Sequence, residues 1–379
     1  MIYHDIVKTY FLFIKTFSAM KKIIFFFLLL GFSGTLFTSC QKNGTDVGYQ
    51  APELDLPATE FNYSGENFPD HFDGIASFDN EPNNNKRTDA GATLGRVLFY
   101  DTKLSLNNTV SCGTCHIQSK AFSDGKKFSP GFEGNLSTRN TLAIVNPRFA
   151  ATLTWTGQNI TLEEQVLQPI GNHLEMGLEN LDHLATKISK VDYYPALFEK
   201  AFGSTEVTHE KISRALSQFL RSMECSQSKF DQGYNNDWAN FTALEKMGKD
   251  LFESAQNGCD NCHRNVNFYY GSEANIGLSM DYADEGAGNG RFRIPSLRNI
   301  ALTGPYMHNG QFETLEEVID HYNDGVQPHP NLDWRLTSGN GEPKKLDLSE
   351  TEKQALVAYL KTLTDEQFIT NIKWSNPFK

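Results

Sequence analysis

The chain has 379 residues, of which 39% are hydrophobic, and its formal net charge at pH 7 is −12. This apolar content is enough for one large or two modest globular domains, and it excludes a disordered chain. The acidic balance argues against nucleic-acid binding and suits a basic protein partner, although acidity also serves solubility alone.

The N-terminal segment has the pattern of an export signal. A pair of lysines precedes an apolar run, residues 23–37, that is too short and too interrupted to span a bilayer comfortably. The run ends in LFTSC, which resembles a bacterial lipoprotein signal, so we expect residues 1–39 to be removed and Cys40 to be lipidated. An ordinary signal peptide cleaved nearby is the alternative. Residues 40–85 then form a tether or N-terminal arm of an exported protein of the periplasm or cell envelope, held to the membrane by its lipid only.

Two motifs of the form CxxCH dominate the cysteine pattern: SCGTCH at 111–116 and CDNCH at 259–263. Thiols one helical turn apart can form thioethers with both vinyl groups of one haem, and the adjacent His then binds the iron. A zinc site or a redox CxxC pair is the competing interpretation, but zinc needs no His directly after the second Cys. We therefore predict two covalent haem c groups on Cys112, Cys115, His116, Cys259, Cys262 and His263. Cys225 has no partner in this scheme and is expected to be a small helix residue.

Helical periodicity predominates in the regions between the motifs. One apolar stripe follows the capping box of Ser349 and Glu352, and a second runs from Ile212 to Met223. Alternating runs of strand type are scarce, so the fold class is predicted to be mainly α with long loops around the haems.

The two halves of the chain echo each other, which indicates an internal duplication. Trp155 aligns with His308, and a helix is predicted to start at Thr161 and again at Thr314. The matching segments are GRVLF with GKDLF, STRNTLA with PSLRNIA, and WTGQNITLEE with HNGQFETLEE. We therefore predict two tandem cytochrome c-like haem domains, residues 86–230 and 231–379, with a boundary near residues 226–242.

At this point the chain resembles the bacterial di-haem cytochrome c peroxidases and the related MauG-type enzymes. The resemblance covers roughly residues 88–370. It rests on the two CxxCH motifs, on Trp155, Gln165 and Glu175 at ten-residue spacings, and on PSLRN, TGPYMHNG and TLEEVIDHY. In that family the first haem reacts with peroxide and the second takes in electrons.

The resemblance assigns roles to three side chains near the first haem. Glu175 is implied to move a proton between the peroxide oxygens, and Gln165 to orient the peroxide by hydrogen bonding. Trp155 is implied to carry charge between the haems. Without the resemblance, Glu175 reads as an ordinary carboxylate and Trp155 as a core aromatic.

This sequence departs from the family pattern in two places. Many members close the first haem with a removable His on the loop at 129–140, which contains no His here. We therefore expect the first haem to be open and active without prior reduction, with Glu133 as a solvated loop charge rather than a stray ligand. The family's WDGR is WTGQ, so Thr156 and Gln158 replace a charged pair near Trp155.

The distal ligand of the second haem is implied to be Tyr322, where typical peroxidases carry Met and MauG-type enzymes carry Tyr. A phenolate lowers the haem potential and favours high oxidation states, whereas Met raises it. Met307 is an alternative ligand, and a core role for Tyr322 is another.

The family also implies one calcium ion between the haems, on an Asn side chain and two backbone carbonyls. The matching positions are Asn140, Thr303 and Pro305, and oxygen ligands suit a hard cation. Arg139 and Arg298 are expected either to bind haem propionates or to form salt bridges with acidic side chains on the surface.

The expected function is reduction of hydrogen peroxide with electrons from a small c-type cytochrome or similar protein. A MauG-type oxidase that acts on a protein substrate is the alternative, and a non-catalytic di-haem electron carrier is another. The resemblance also allows a homodimer.

Overall fold

The computed structural model describes residues 53–65, 68–269 and 271–379. The predicted signal peptide and Cys40 lie outside these residues, as does the start of the predicted tether. Over the described ranges, no helix combines the length and apolarity needed to cross a membrane.

Helices dominate the described residues, as the sequence predicts. In the first half they are α1 Asp89–Tyr100, α2 Cys112–Cys115, α3 Leu162–Gln165, α4 Gln168–Gly171, α5 Leu181–Ser189, α6 Tyr194–Phe202 and α7 His209–Arg221. In the second half they are α8 Lys229–Gly233, α9 Ala243–Glu253, α10 Leu315–Asp320, α11 Glu350–Lys361 and α12 Glu366–Thr370. Two short strands, β1 Glu273–Ala274 and β2 Phe292–Arg293, pair antiparallel with Glu273 opposite Arg293. The mainly α fold class is therefore confirmed.

The predicted helix starts coincide with capping boxes. Thr161 caps α3 and Thr314 caps α10. In each case the side chain of the Glu three residues later accepts a hydrogen bond from the backbone N–H of the capping Thr. Ser349 and Glu352 form the same box at α11. These side chains satisfy backbone N–H groups that a helix N-terminus leaves without partners.

One helix pair in each half crosses at a glycine. In the first half, α1 packs on α7, and a Cβ at Gly95 would collide with the carbonyl oxygen of Ala215. In the second half, α9 packs on α11, and a Cβ at Gly248 would collide with the carbonyl oxygen of Ala355. Both pairs therefore need glycine, because their backbones approach too closely for any side chain.

The buried apolar residues form two main clusters, one centred on α1 and α7 and one on α9 and α11. The C-terminal residues Phe368 and Trp374 join the first cluster, and the Trp374 indole donates to the Ser222 carbonyl at 3.0 Å. The end of the chain therefore packs on its first half.

Cys225 is buried, but the prediction that it is a helix residue is wrong. Helix α7 ends at Arg221, and Cys225 lies in the extended segment that follows. Its sulfur accepts a hydrogen bond from Asn299 Nδ2 at 3.1 Å, so this thiol packs between the two halves of the sequence.

Candidate functional site

The first CxxCH motif folds as the single helical turn α2. The Ser111 backbone N–H donates to Thr114 Oγ1 at 2.9 Å, and the His116 N–H donates to the Cys112 carbonyl at 2.9 Å. This turn presents two thiols and an imidazole from one short segment. Cys112 and Cys115 are free thiols, so both sulfurs are available for thioether bonds.

A backbone carbonyl orients the imidazole of each motif. His116 Nδ1 lies 2.7 Å from the Phe122 carbonyl, and His263 Nδ1 lies 3.3 Å from the Phe268 carbonyl. Because a carbonyl only accepts, Nδ1 carries the proton and Nε2 keeps its lone pair. Burial lowers the pKa of His116 and lowers the pKa of His263 to about 4. Both rings are therefore neutral, the form that binds iron.

The second motif opens into a largely apolar cavity. Cys259, Cys262 and His263 form part of its wall, with Phe252, Ile276, Leu315, Ile319, Leu356 and Leu360 among the apolar residues around them. An apolar space with two thiols and a neutral imidazole at its edge fits a covalently held haem. In the part of the chain that the structure describes, no three His, Cys, Asp or Glu side chains form a cluster that could hold a bare metal ion.

Tyr322 and Met307 both line this second cavity. Tyr322 lies in a π-helical turn, His321–Gly325, directly after α10. Burial raises the pKa of the Tyr322 phenol well above its ordinary value, and the nearby Cys262 and Cys259 raise it further. Met307 has a left-handed backbone, with φ of 75°. Both predicted ligand candidates therefore lie at the wall of the cavity next to the second motif.

Glu175 lies close to the first motif. Its backbone N–H donates to the Asn172 carbonyl at 3.1 Å, and its own carbonyl accepts from Phe132 N–H at 2.8 Å. Burial raises the pKa of the Glu175 carboxyl, and this carboxyl contributes to the raised pKa of the Cys112 and Cys115 thiols. The Glu175 carboxyl therefore lies within electrostatic range of both thiols of the first motif.

Gln165 ends α3 with a buried Oε1 that has no hydrogen-bond partner. Such an orphaned acceptor is costly unless a bound group donates to it, so this residue also fits a ligand site. No hydrogen bond joins Gln165 to Glu175 within the described ranges.

The loop at residues 129–140, which contains no His, packs against the Glu175 segment. Asn107 Nδ2 donates to the Phe132 carbonyl at 2.8 Å, which adds a second anchor to the contact between Phe132 and Glu175. Gly131 approaches the Leu174 carbonyl so closely that a Cβ would collide with it. Glu133 is exposed, in accordance with a solvated loop charge.

Trp155 lies at the wall of the second cavity, where the predicted calcium residues also lie. Its indole N–H donates to the Asn140 carbonyl at 2.7 Å, and Asn140 N–H donates to the His308 carbonyl at 2.7 Å. Asn140, Thr303 and Pro305 line the same cavity. The Trp155 and His308 rings are 6.4 Å apart, so the two residues that align in the repeats are neighbours in space.

Arg298 is held away from the second cavity. Its guanidinium donates to both carboxylate oxygens of Asp231 at 2.8 Å, and it does not line the cavity. Arg139 pairs with Asp284 at 2.6 and 2.8 Å. Both arginines therefore form salt bridges, but only Arg139 pairs with a surface acid, because Asp231 is buried.

Arg293 is a residue that sequence reasoning missed. It lines the second cavity, and its Nε is buried without a hydrogen-bond partner. An unsatisfied donor at the cavity wall fits an anionic group such as a haem propionate. The only signal in the sequence is its position in RFRIPSLRN, where Arg298 appeared equally suited.

Comparison with known proteins agrees with this geometry. The family profile described as di-haem cytochrome c peroxidase matches residues 89–239. The methylamine utilization protein MauG of Methylorubrum extorquens is 34% identical over 298 residues, covering 75% of this chain and 81% of that protein. This chain belongs to the di-haem cytochrome c peroxidase and MauG family. Its members are oxidoreductases, and the di-haem family implies two haem c groups.

Other members of the di-haem family cover the chain to a similar extent. Cytochrome c551 peroxidase of Nitrosomonas europaea is 30% identical over 289 residues, covering 73% of this chain and 80% of that protein. A solved MauG-like protein associated with microbial copper homeostasis is 36% identical with a TM-score of 0.70, covering 78% of this chain and 95% of that one. The family is thus established. Its named members include both peroxidases and MauG proteins, so membership alone does not distinguish these two activities.

Proposed function

We propose that this protein is an exported di-haem peroxidase that reduces hydrogen peroxide to water. Each turnover consumes one peroxide, two protons and two electrons and yields two waters. The electrons come from a small c-type cytochrome or a similar donor. The peroxidase relatives support this activity, and the observation that carries it is the half-buried Glu175 carboxyl near the thiols of the first motif.

Three side chains divide the work around the first haem. That haem, when bound, supplies an iron site that peroxide can occupy. Glu175 takes the proton from one peroxide oxygen and gives it to the other, which then leaves as water. Gln165 Oε1 accepts a hydrogen bond from the peroxide O–H and fixes its orientation, which supplies the partner that this buried atom lacks. Trp155 relays charge between the two haem sites.

A calcium ion and a two-domain organisation complete the proposal. Asn140 donates its Nδ2 to the Lys126 carbonyl at 2.8 Å, which leaves its amide oxygen for a cation together with the Thr303 and Pro305 carbonyls. The equivalent glycine crossings at Gly95 and Gly248 support an origin by duplication. Lipid anchoring at Cys40 and a homodimer remain predictions.

The second candidate is a MauG-type oxidase that withdraws electrons from a protein substrate. Tyr322 at the wall of the second cavity favours it, as do the MauG relative and the MauG-like solved structure. A non-catalytic electron carrier is the third candidate, and it assigns no role to Glu175.

Glu175→Gln tests the peroxidase proposal, because Gln keeps the shape of Glu175 and removes its titratable proton. We expect steady-state peroxide turnover with reduced cytochrome c to fall at least a hundredfold, as is usual on loss of a general acid–base group. The raised pKa of Glu175 also predicts that wild-type turnover falls with decreasing pH through a midpoint above the ordinary glutamate range, as the base form is lost.

Glu133→Gln, which changes an exposed carboxylate on the adjacent loop, is the matched control and should keep full activity. Unchanged turnover in Glu175→Gln would refute the assigned mechanism. Negligible wild-type turnover together with a long-lived doubly oxidised state would favour the oxidase.

A further inference from the structure

The salt bridge between Arg298 and Asp231 is almost completely buried. The Arg298 side chain is 0% exposed and the Asp231 side chain is 2% exposed. Replacing a buried ion pair by apolar residues is often neutral or stabilising, because both charges lose their hydration on burial. Net stability alone therefore gives no reason for this ion pair.

Two donors of Arg298 also bind the loop that follows the second CxxCH motif. Its Nε donates to the Val266 carbonyl at 2.8 Å, and its Nη2 donates to the same oxygen at 2.5 Å. The guanidinium carbon lies 4.9 Å from the centre of the Phe72 ring and 5.9 Å from the centre of the Phe268 ring. Because Arg298 does not line the second cavity, it can act on the haem only through this loop.

A second contact joins the same loop to the segment just before Arg298. The Ser296 hydroxyl donates to the Asn267 carbonyl at 2.6 Å, and the Arg298 backbone N–H donates to Ser296 Oγ at 3.2 Å. This segment therefore binds two consecutive carbonyls of the loop, those of Val266 and Asn267. The next carbonyl, that of Phe268, is the acceptor for the haem-binding imidazole.

The His263 imidazole interacts with both the loop and the segment. Its Nδ1 lies 3.3 Å from the Phe268 carbonyl. Burial lowers the pKa of His263 to about 4, and hydrogen bonding to the Phe268 and Pro295 backbone acts against that shift. An imidazole that donates from one nitrogen is a stronger electron donor to a metal on the other. The position of the loop against the segment therefore sets the donor strength of His263.

The equivalent residues of the first half make different contacts. Ser137 and Arg139 occupy the matching positions in STRNTLA. The Ser137 hydroxyl donates to the Arg139 carbonyl at 2.9 Å and accepts from Ser129 N–H at 3.0 Å, whereas the Arg139 side chain forms a partly exposed salt bridge. Over the described ranges, neither side chain donates to residues 117–122, the loop after the first motif. Within those ranges, this arrangement is therefore specific to the second imidazole.

We propose that Arg298 is a positioning residue that sets the reduction potential of the second haem. It holds the Phe268 carbonyl against His263 Nδ1, which keeps the imidazole electron-rich and stabilises the ferric iron. The inference rests on the proposed function, in which the second haem passes electrons, and deepens it by naming what tunes that haem. One electron reduces the iron in each transfer, and Arg298 itself is unchanged.

Arg298→Lys tests the inference, because lysine keeps the charge beside Asp231 but lacks the planar fork that binds the carboxylate and the Val266 carbonyl together. The measurement is a redox titration of the holoprotein without peroxide, in which the electron paramagnetic resonance signal of the second haem follows its reduction. We expect the potential to rise, so that the ratio of ferrous to ferric second haem at the wild-type midpoint increases about threefold or more. The g values of that signal should change as well.

Ser296→Ala is a milder variant that leaves the buried ion pair intact. It removes the hydrogen bond to the Asn267 carbonyl, so the potential should rise by a smaller factor. Ser296 lines the second cavity whereas Arg298 does not, so a rise in both variants assigns the effect to the loop that they share. Ser137→Ala, at the matching position of the first half, is the control and should leave the potential of the second haem unchanged.

Arg221→Lys controls for loss of stability alone. Arg221 is also buried, at 1%, and forms a bidentate pair with Glu163 at 2.6 and 2.9 Å, but it lies on α7 in the first half. We expect both lysine variants to unfold at a lower temperature, and only Arg298→Lys to shift the potential of the second haem.

Three results would overturn the inference. They are an unchanged or lowered potential in Arg298→Lys, the same result in Ser296→Ala if the lysine variant binds no haem, and an equal shift in Arg221→Lys. Because no peroxide is present, failure of the inference is distinguishable from failure of the proposed activity.

Discussion

Glu175 is half-buried and Asp231 is buried, yet their surroundings shift the pKa values of these two carboxyls in opposite directions. Burial raises the pKa of Glu175, and no cation among the described residues opposes this shift. Burial also acts to raise the pKa of Asp231, but the Arg298 guanidinium and its hydrogen bonds outweigh that effect and lower the pKa overall. The first carboxyl is therefore suited to exchanging a proton, and the second is a permanent anion that supports the fold.

Asp231→Asn tests the structural role of this anion. The change keeps the shape of the side chain and leaves Arg298, whose side chain is 0% exposed, as an unpaired buried cation. His71, whose Nε2 lies 2.9 Å from the same carboxylate, loses an anionic neighbour as well. We expect the free energy of unfolding to fall by about 3–5 kcal/mol, measured by urea denaturation of the holoprotein.

The pH dependence of stability provides a second measurement on the same variant. Because the folded pKa of Asp231 is lowered, the ion pair contributes stability above the ordinary aspartate pKa and loses it as the pH falls toward the lowered value. Wild type should lose stability below about pH 4 in a way that Asp231→Asn does not. Asp284→Asn, in a half-exposed pair with Arg139, should cost about 1 kcal/mol or less. Equal losses in the two variants would contradict this account.

Sequence reasoning predicted which residues attach the haems, but it did not predict the partners of the arginines. The CxxCH motifs are local, so their chemistry follows from spacing alone. Arg298 binds Asp231, which is 67 positions away, and Arg293 reaches the cavity instead. Which of these two arginines lines the cavity depends on contacts between distant parts of the chain. The spacing of residues in the sequence carries no information about such contacts.

At the level of elements, helix starts were predictable and helix pairing was not. The boxes at Thr161, Thr314 and Ser349 involve residues three apart, so the sequence displays them directly. The repeated segments GRVLF and GKDLF indicated that a glycine recurs at the same place in both halves. Only the structure shows that these glycines lie against the backbone carbonyls of Ala215 and Ala355. Cys225 fell outside α7 because Ser222 ends that helix without a sequence signal as clear as glycine.

Gly95→Ala and Gly248→Ala test whether the two helix crossings are equivalent. Each added methyl group would meet a carbonyl oxygen, so the helices must separate. We expect each variant to lose about 1–3 kcal/mol of unfolding free energy, a cost of overpacking that exceeds the helix propensity gained. Thermal denaturation measures it. Gly171→Ala, where nothing lies within 4 Å, is the control and should be neutral or slightly stabilising. If Gly95→Ala and Gly248→Ala were as stable as Gly171→Ala, close backbone contact at the two crossings would be ruled out.

For the whole molecule, the resemblance to a family predicted far more than composition did. Net charge alone suggested no more than a basic partner. The class of enzyme followed from two short motifs and three spaced residues. The packing of Phe368 and Trp374 on the first half did not follow from any pattern, because it joins opposite ends of the chain.

Electron paramagnetic resonance of the ferric holoprotein tests the central claim, which is that the two haem sites differ in coordination. We predict one high-spin signal from the first haem, beside Glu175 and the loop without His, and one low-spin signal from the second, capped by Tyr322 or Met307. Peroxide should abolish the high-spin signal first. Two low-spin signals that do not respond to peroxide would contradict the claim and leave an electron carrier.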